Sequence, residues 1–297
     1  GDVYKRQVFI HMRTKPIVSS DKVSEKFFEQ GYLDAIPILS QDEARGIWAE
    51  VSNSLELDGP KRFKTHLLLP ILDDVVKNPG IIRVVCSVLE TEDVLVWSSD
   101  WCIKNAHSSG FYSWHQDSTY AGMTMPEKAV TVWLALTPST PASGCLRVVP
   151  GSHKWGQFAH ELKASNDNML SRGQHIVIDE KIADFTNEAV DLRLQPGEMS
   201  LHSFRSIHAS GPNQTDYPRI GFAIRYCAAD LQRESRITEK ESAILVSGIE
   251  PENCSFIMES APNQAMGDEE VLEWRQAVDR ENKNYFQDNP VRQAYHR

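Results

Sequence analysis

The sequence predicts a mainly β protein with flanking α-helices, built on a double-sheet jelly roll of the cupin kind. Three observations carry this expectation. From residue 93 onward, short runs of β-branched and aromatic residues are broken by Gly, Pro, Ser and Asn, as in a sandwich or barrel of short strands. Residues 24–90 instead repeat their apolar positions every three to four residues, the period of helices. Finally, His115, Asp117 and His208 are metal-ligating residue types on strand-like segments, and a metal site at the mouth of a double sheet is a jelly-roll feature.

At 297 residues, 41% hydrophobic and 24% charged, the chain has the composition of a soluble globular protein, long enough for one large domain with decorations or for two small ones; one is expected. Residues 1–11 follow no period and precede Met12, which reads as a normal start. They are expected to be a non-native leader, with 12–297 forming a single domain. Within it, 24–90 should be mainly helical, 93–230 the jelly roll, and 231–297 an extension with one helix. The clearest helix start is Ser40-Gln41-Asp42-Glu43, a capping box in which Ser and Glu satisfy each other's end of the first turn. Ala44, Ile47, Trp48, Val51 and Leu55 then form one apolar face. A second helix is expected over 79–89, with Pro79 in its first turn and Ile82, Val85, Val88 and Leu89 inward. Strands are expected at 94–103, 129–137, 145–149, 189–194, 199–204 and 219–227, and a polar helix at 268–285. In 130–137 the even positions are aliphatic. That face should pack against the helices while Thr131 and Trp133 look into the lumen.

A formal net charge of −10 with no Lys/Arg block argues against a nucleic-acid surface. The five cysteines are odd in number and contain no C-x-x-C pair, so neither a disulfide framework nor a zinc knuckle is indicated, and a reducing cytoplasm fits. No run of apolar residues is long enough for a membrane span or a signal-peptide core. The expectation is a cytoplasmic protein acting on a small molecule, with no nucleic-acid or membrane partner.

In Trp114-His115-Gln116-Asp117, a strand would send His115 and Asp117 to the same side, so both can grip one ion. A later His closes the set. Two imidazoles and a carboxylate on one face of a metal leave its other positions open, the facial triad of iron(II) oxygenases. A His-x-acid tripeptide alone is weak. With 10 His and 41 acidic residues in 297, about one such match arises by accident, and a plain hydrogen-bonded hairpin pair is an even alternative.

The second piece is Ile207-His208-Ala209-Ser210-Gly211-Pro212-Asn213, in which His208 and Ser210 share a side and a turn leads to the strand starting at Arg219. Arg219, Gly221, Ala223 and Arg225 share a face, so small residues leave room beside the first guanidinium. A buried arginine needs an anion, and its planar fork meets a carboxylate through two parallel hydrogen bonds. The plainer alternatives are a surface salt bridge for Arg219 and a satisfied core histidine for His208.

The chain resembles the phytanoyl-CoA hydroxylase (PhyH-like) family of iron(II)/2-oxoglutarate dioxygenases over residues 27–236. The resemblance is carried by Trp114 to Tyr120, Trp133 to Leu136, Gly144 to His153 and His208 to Arg219. It implies a double-stranded β-helix, iron(II) held by His115, Asp117 and His208, and the distal carboxylate of 2-oxoglutarate held by Arg219 with Ser210 assisting. Thr131 is a further candidate for the co-substrate pocket. The implied reaction uses dioxygen and 2-oxoglutarate to hydroxylate an unactivated C–H bond, releasing succinate and carbon dioxide. Related halogenases replace the carboxylate ligand by a small residue; Asp117 is present here, which favours hydroxylation. Tyr120, Met123, Met125 and Trp133 are candidate substrate contacts, and the lack of a basic cluster favours a small metabolite over a coenzyme A thioester. His153 lies in the turn Pro150-Gly151-Ser152 and is left out of the site; His202 either backs the ligands or faces outward from its strand. A zinc-dependent hydrolase on the same ligands would give Arg219 no role. A non-catalytic jelly-roll binding protein would need no metal.

Overall fold

The computed structural model describes residues 20–163, 165–177 and 183–286; the expectation for residues 1–11 lies outside them. Helix α1 (Ser20–Gln30) leads into strand β1 (Tyr32–Pro37) and helix α2 (Gln41–Ser54). The capping box forms as expected: the Glu43 N–H donates to Ser40 Oγ (3.2 Å) and the Ser40 N–H to Glu43 Oε2 (2.6 Å). Helices α3 (Pro70–Val76) and α4 (Pro79–Leu89) follow, α4 starting where Asn78 Oδ1 accepts from the Gly80 and Ile81 N–H groups. Its buried stripe is Ile81, Val84, Val85 and Val88. Ile82 and Leu89, expected inward, flank that stripe and are only partly buried, because 3.6 residues per turn rotates them to its margins. Residues 24–90 also include β1, which the helical expectation missed. Tyr-Leu-Asp-Ala-Ile-Pro has no clean alternation and ends in a proline, which suits an edge strand.

The remaining strands are β2 (Val94–Lys104), β3 (Tyr112–His115), β4 (Ala129–Ala135), β5 (Leu146–Val148), β6 (His160–Leu162), β7 (Gln174–Ile176), β8 (Val190–Leu192), β9 (Glu198–Ser203), β10 (His208–Ser210), β11 (Arg219–Ala228), β12 (Ser242–Ser247) and β13 (Ile257–Met258). They make an open seven-stranded sheet in the order β1-β9-β4-β11-β2-β12-β13, a four-stranded sheet β3-β10-β5-β8, and the small pair β6-β7. Each strand expected from the sequence is present with ends trimmed or extended by a residue or a few. The two main sheets face each other as a jelly roll.

The pleat divides the large sheet into two chemistries. Val130, Val132 and Leu134 of β4, Met199 and Leu201 of β9, and Ile220, Phe222, Ile224 and Tyr226 of β11 join the helices in one apolar core. Burying each such side chain contributes about 1.5–3 kcal/mol. The alternate residues point to the other sheet, Thr131 and Trp133 among them, as the alternation predicts.

The extension is part of the large sheet and forms one edge of it. Strand β12 pairs with β2, and beyond the short helix α5 (Ser118–Ala121) between β3 and β4 the last helix, α6 (Asp268–Tyr285), packs Trp274, Ala277 and Val278 onto the core. Asn284 fixes the end of α6 through its amide to Glu239 O (2.8 Å) and Glu241 Oε1 (2.7 Å). Among the described residues no helix is long and apolar enough to cross a membrane.

Beneath this wall lies a fully buried ion pair. Lys64 Nζ is 2.7 Å from Glu259 Oε1, and both side chains are 1% exposed. Lys64 also donates to Trp97 O (2.5 Å) and Ser242 O (3.0 Å), and the Ser242 hydroxyl donates to Glu259 (2.7 Å). Lys64 and the neighbouring His66 hold the Glu259 carboxyl below its usual range against the opposing effect of burial. Glu259→Ala should therefore destabilise the protein by about 3–5 kcal/mol, since it strands a buried ammonium, whereas Lys64→Met combined with Glu259→Leu should cost far less. Denaturant unfolding of both variants checks this; equal losses would show that the pair's charge is not what matters.

Candidate metal centre and anion pocket

The inner faces of the two sheets present residues in rows. On the large sheet one row runs Ser98, Arg225, Thr131, His202 across β2, β11, β4 and β9. The next is Asp100, Ala223, Trp133, Ser200, then Cys102, Gly221, Ala135, and last Lys104 with Arg219. Opposite, His208 pairs with His115 and Ser210 with Tyr112. A cavity of about 150 Å³ runs between the sheets from the first row toward the last.

His115, Asp117 and His208 meet at one end, with ligand atoms that all lie within 4.8 Å of one another. Asp117 Oδ1 is 3.5 Å from His115 Nε2 and 3.7 Å from His208 Nε2. The hydrogen bonds fix both tautomers. His115 Nδ1 donates to Ser113 O (2.7 Å) and His208 Nδ1 to Ser206 O (2.9 Å), so each Nε2 keeps its lone pair for the centre. Burial, then the neighbouring His115, pushes the His208 imidazole well below its ordinary pKa, leaving it neutral as metal binding requires. Burial acts against the Asp117 carboxylate, but the surrounding imidazoles, His208 first, hold it well below the usual range. Two imidazole nitrogens with their lone pairs turned to the centre and one anionic oxygen are a donor set that fits a divalent transition metal.

Two further side chains back the carboxylate. Thr131 Oγ1 donates to Asp117 Oδ2 (2.7 Å), and Thr131 lines the same cavity as Ser210 and Arg219. His202 Nε2 is 3.5 Å from the same oxygen, and its ring centroid is 4.4 Å from that of His208. His202 thus faces inward, and its even spacing with Ser200 along β9 was the available signal. His153 is outside the cavity, its Nε2 donating to Phe28 O (3.2 Å).

At the other end Arg219 is 1% exposed, and its Nε and Nη2 have no hydrogen-bond partner. Among the described residues no carboxylate forms an ion pair with it. Its guanidinium carbon sits 5.0 Å from the Trp133 ring, so the side chain turns back along the cavity toward the metal-ligating residues. A desolvated guanidinium with two idle donors fits a carboxylate from a ligand. Ser210 lines the same end, its hydroxyl donating to Gly144 O (2.8 Å). Lys104, which the sequence reading passed over, lies buried beside it and donates to Ser210 Oγ and Gly211 O.

The remaining wall is aromatic and charged. Tyr120 and Trp133 line it as anticipated, with Trp97, Tyr285 and Phe286, and with Asp100, Arg225 and Glu281 between them. Met123 does not: it is buried in a separate cluster with Phe204 and Leu231, because the turn at Gly122 (φ +63°) carries it behind the wall. Met125 is 42% exposed, outside the cavity. Glu281, Tyr285 and Phe286 come from the C-terminal extension, to which the sequence reading gave no role.

Residues 41–221 match the family model described as phytanoyl-CoA dioxygenase (PhyH). A probable phytanoyl-CoA dioxygenase of Caenorhabditis elegans is 25% identical over 169 residues, 55% of this chain and 53% of that protein, so the chain spans about half of that relative's length. An ectoine dioxygenase of Nocardia farcinica is 27% identical over 240 residues, 74% of this chain and 76% of that one. Among solved structures, the apo form of the non-heme monooxygenase ThoJ superposes with a TM-score of 0.76 at 32% identity, over 89% of this chain and 98% of that one. With the jelly roll, the His-Asp-His cluster and a family match over more than half its length, the chain belongs to the phytanoyl-CoA dioxygenase (PhyH) family of iron(II)- and 2-oxoglutarate-dependent oxygenases.

Proposed function

We propose that this protein hydroxylates an unactivated C–H bond of a small metabolite, with His115, Asp117 and His208 as the iron ligands and Arg219 as the anchor of 2-oxoglutarate. The observation that carries this reading is the pairing, in one cavity, of a three-ligand cluster with a buried guanidinium that lacks a carboxylate partner. When bound, iron with dioxygen and 2-oxoglutarate supplies the oxidising power, succinate and carbon dioxide being the co-product pair.

The protein's own part is binding, orientation and exclusion of water. The carbonyls of Ser113 and Ser206 hold the two imidazoles in the coordinating tautomer. Thr131 holds one carboxylate oxygen of Asp117 and leaves Oδ1 facing the imidazoles. Arg219 takes the distal carboxylate with its two idle donors, braced by the face of Trp133. Trp97, Tyr120, Tyr285 and Phe286 surround the space left for substrate, which keeps water from an oxidising centre. Asp100, Arg225 and Glu281 in that wall suit a small polar metabolite, and the kinship with an ectoine dioxygenase supports the same choice. Asp117 occupies the carboxylate position, which favours hydroxylation over halogenation. Arg219 would stand idle in a zinc hydrolase, and the ligand cluster would in a simple binding protein.

The test is anaerobic titration of the iron(II)-loaded protein with 2-oxoglutarate, followed by its metal-to-ligand charge-transfer band. A metabolite screen for substrate-dependent succinate release then reads the reaction. Absence of both signals would overturn the proposal.

His115→Ala, Asp117→Ala and His208→Ala should each abolish turnover and sharply weaken iron binding while the fold persists, because each removes a coordination bond without emptying the core. Near wild-type iron affinity in any one would remove that residue from the ligand set. Thr131→Val keeps the shape but deletes the hydrogen bond to Asp117, and should lower metal affinity about 10–100-fold. An unchanged affinity in a competitive chelator titration would show that Thr131 does not orient the carboxylate.

Arg219→Ala should weaken 2-oxoglutarate by roughly 2–5 kcal/mol, about 30-fold to a few thousand-fold, since a desolvated charge-assisted pair is lost. Arg219→Lys should recover only part of this, keeping the charge without the planar fork. Both variants should still bind iron. Wild-type affinity for 2-oxoglutarate in Arg219→Ala would move the anchor to another cation such as Arg225.

A further inference from the structure

Lys104 is 0% exposed and faces Arg219 in direct register between β2 and β11. Its amine donates to Ser210 Oγ and to Gly211 O, and its third direction meets the face of Tyr112, 5.4 Å from the ring centroid. No carboxylate among the described residues forms an ion pair with it. Two basic side chains therefore share one desolvated corner with no anion between them. A guanidinium keeps its proton under almost any burden, whereas a lysine gives its proton up readily when buried. The two acceptors around Lys104 are also as many as a neutral amine can use.

We propose that Lys104 is a proton-accepting positioning residue of the co-substrate site: when a dicarboxylate seats its distal carboxylate on Arg219, one proton from solvent moves onto the Lys104 amine. The resulting ammonium, through its hydrogen bond to Ser210, reinforces that hydroxyl at the carboxylate. This rests on the 2-oxoglutarate reading. It differs from that reading in making co-substrate binding a proton-coupled step.

The surrounding groups leave Lys104 as the residue that titrates. Burial and then Arg219 lower its pKa to about 6. Across from it on β3, burial pushes the Tyr112 phenol well above its ordinary value. On its own strand burial raises the Cys102 thiol, and in the loop before β5 burial raises Cys145 to about 11. All three are protonated at neutral pH, and an added anion would only raise them further. Arg219, lowered by burial from an alkaline value, stays charged. Free of ligand, Lys104 loses its proton as pH rises through about 6; with an anion bound its pKa rises, so binding at pH well above 6 takes up a proton and weakens as pH increases.

The measurement is calorimetric titration of 2-oxoglutarate into the anaerobic, iron(II)-saturated protein at pH 7.5, in buffers of different ionisation enthalpy. The wild type should take up close to one proton, and its Kd should rise about tenfold per pH unit between pH 6.5 and 8.5. Lys104→Met should take up none and give a flat profile. A purely structural role for Lys104 would not move the proton count. Binding by the wild type without proton uptake overturns the proposal while leaving the co-substrate reading intact; so does uptake that persists in Lys104→Met. No binding at all, with no charge-transfer band, overturns both. If Lys104→Met does not fold, the wild-type proton count and pH slope decide alone.

Discussion

The pleat of β11 separates two incompatible environments across one sheet, and the site depends on it. Ile220, Phe222, Ile224 and Tyr226 enter the helix-covered core, while Arg219, Gly221, Ala223 and Arg225 enter the cavity. A slip of one residue would put two guanidiniums into the apolar core and four large hydrophobes onto the metal-ligating residues. Ten residues of this strand pair along β2 and seven along β4, so the register is held from both sides. The helices, remote from any chemistry, matter because they make the apolar face worth burying and thereby fix which face meets the ligand.

The same rows explain how the cluster is assembled. His115 and His208 are register partners on the small sheet, and Thr131 and His202 are register partners on the large one. Packing the two sheets brings the pairs together, and Asp117, at the start of the short helix α5 (Ser118–Ala121), drops between them. The carboxylate is thereby surrounded by three imidazoles and a hydroxyl. Polarity then changes along the cavity, anionic at Asp117 and cationic at Arg219, with Ala223 and Gly221 between. An elongated ligand carrying a metal-chelating end and a carboxylate end matches that gradient in one orientation.

Much of this was legible in the sequence, and the unread parts share a cause. Local signals worked where one residue decides its own fate: the capping box at Ser40 and the alternation in 130–137. The strand expected to carry both His115 and Asp117 ends at His115, and Asp117 stands in helical backbone at the head of the next turn; the room expected beside Gly221 is taken by the Trp133 indole. Features set by distant pairing were lost. The edge strand β1 takes its identity from pairing with β9 rather than from its own pattern. The extension reads as polar tail plus helix, yet β12 completes the large sheet and α6 delivers Glu281, Tyr285 and Phe286 to the cavity. Met123 and Tyr120 looked alike as wall residues, and a left-handed turn at Gly122 separated them. Lys104 was lost for the same reason. A lysine ending a strand reads as a solvated charge, and its burial becomes apparent only when Arg219 and Ser210 are found beside it.

Gly221 shows how tightly the two ends of the cavity are coupled. A Cβ built there would lie 1.9 Å from the Trp133 ring, so the indole lies flat against the bare backbone of the neighbouring strand. That placement brings the ring face to within 5.0 Å of the Arg219 guanidinium carbon. The aromatic face attracts the cation without neutralising it, which keeps its donors aimed and unspent. Trp133 is also two residues along β4 from Thr131, the side chain that holds Asp117. One strand therefore sets both the carboxylate at the metal-ligating end and the guanidinium at the far end. The distance between them is fixed by the rise of a strand rather than by flexible side chains, and a missing methyl group at position 221 makes that fit possible.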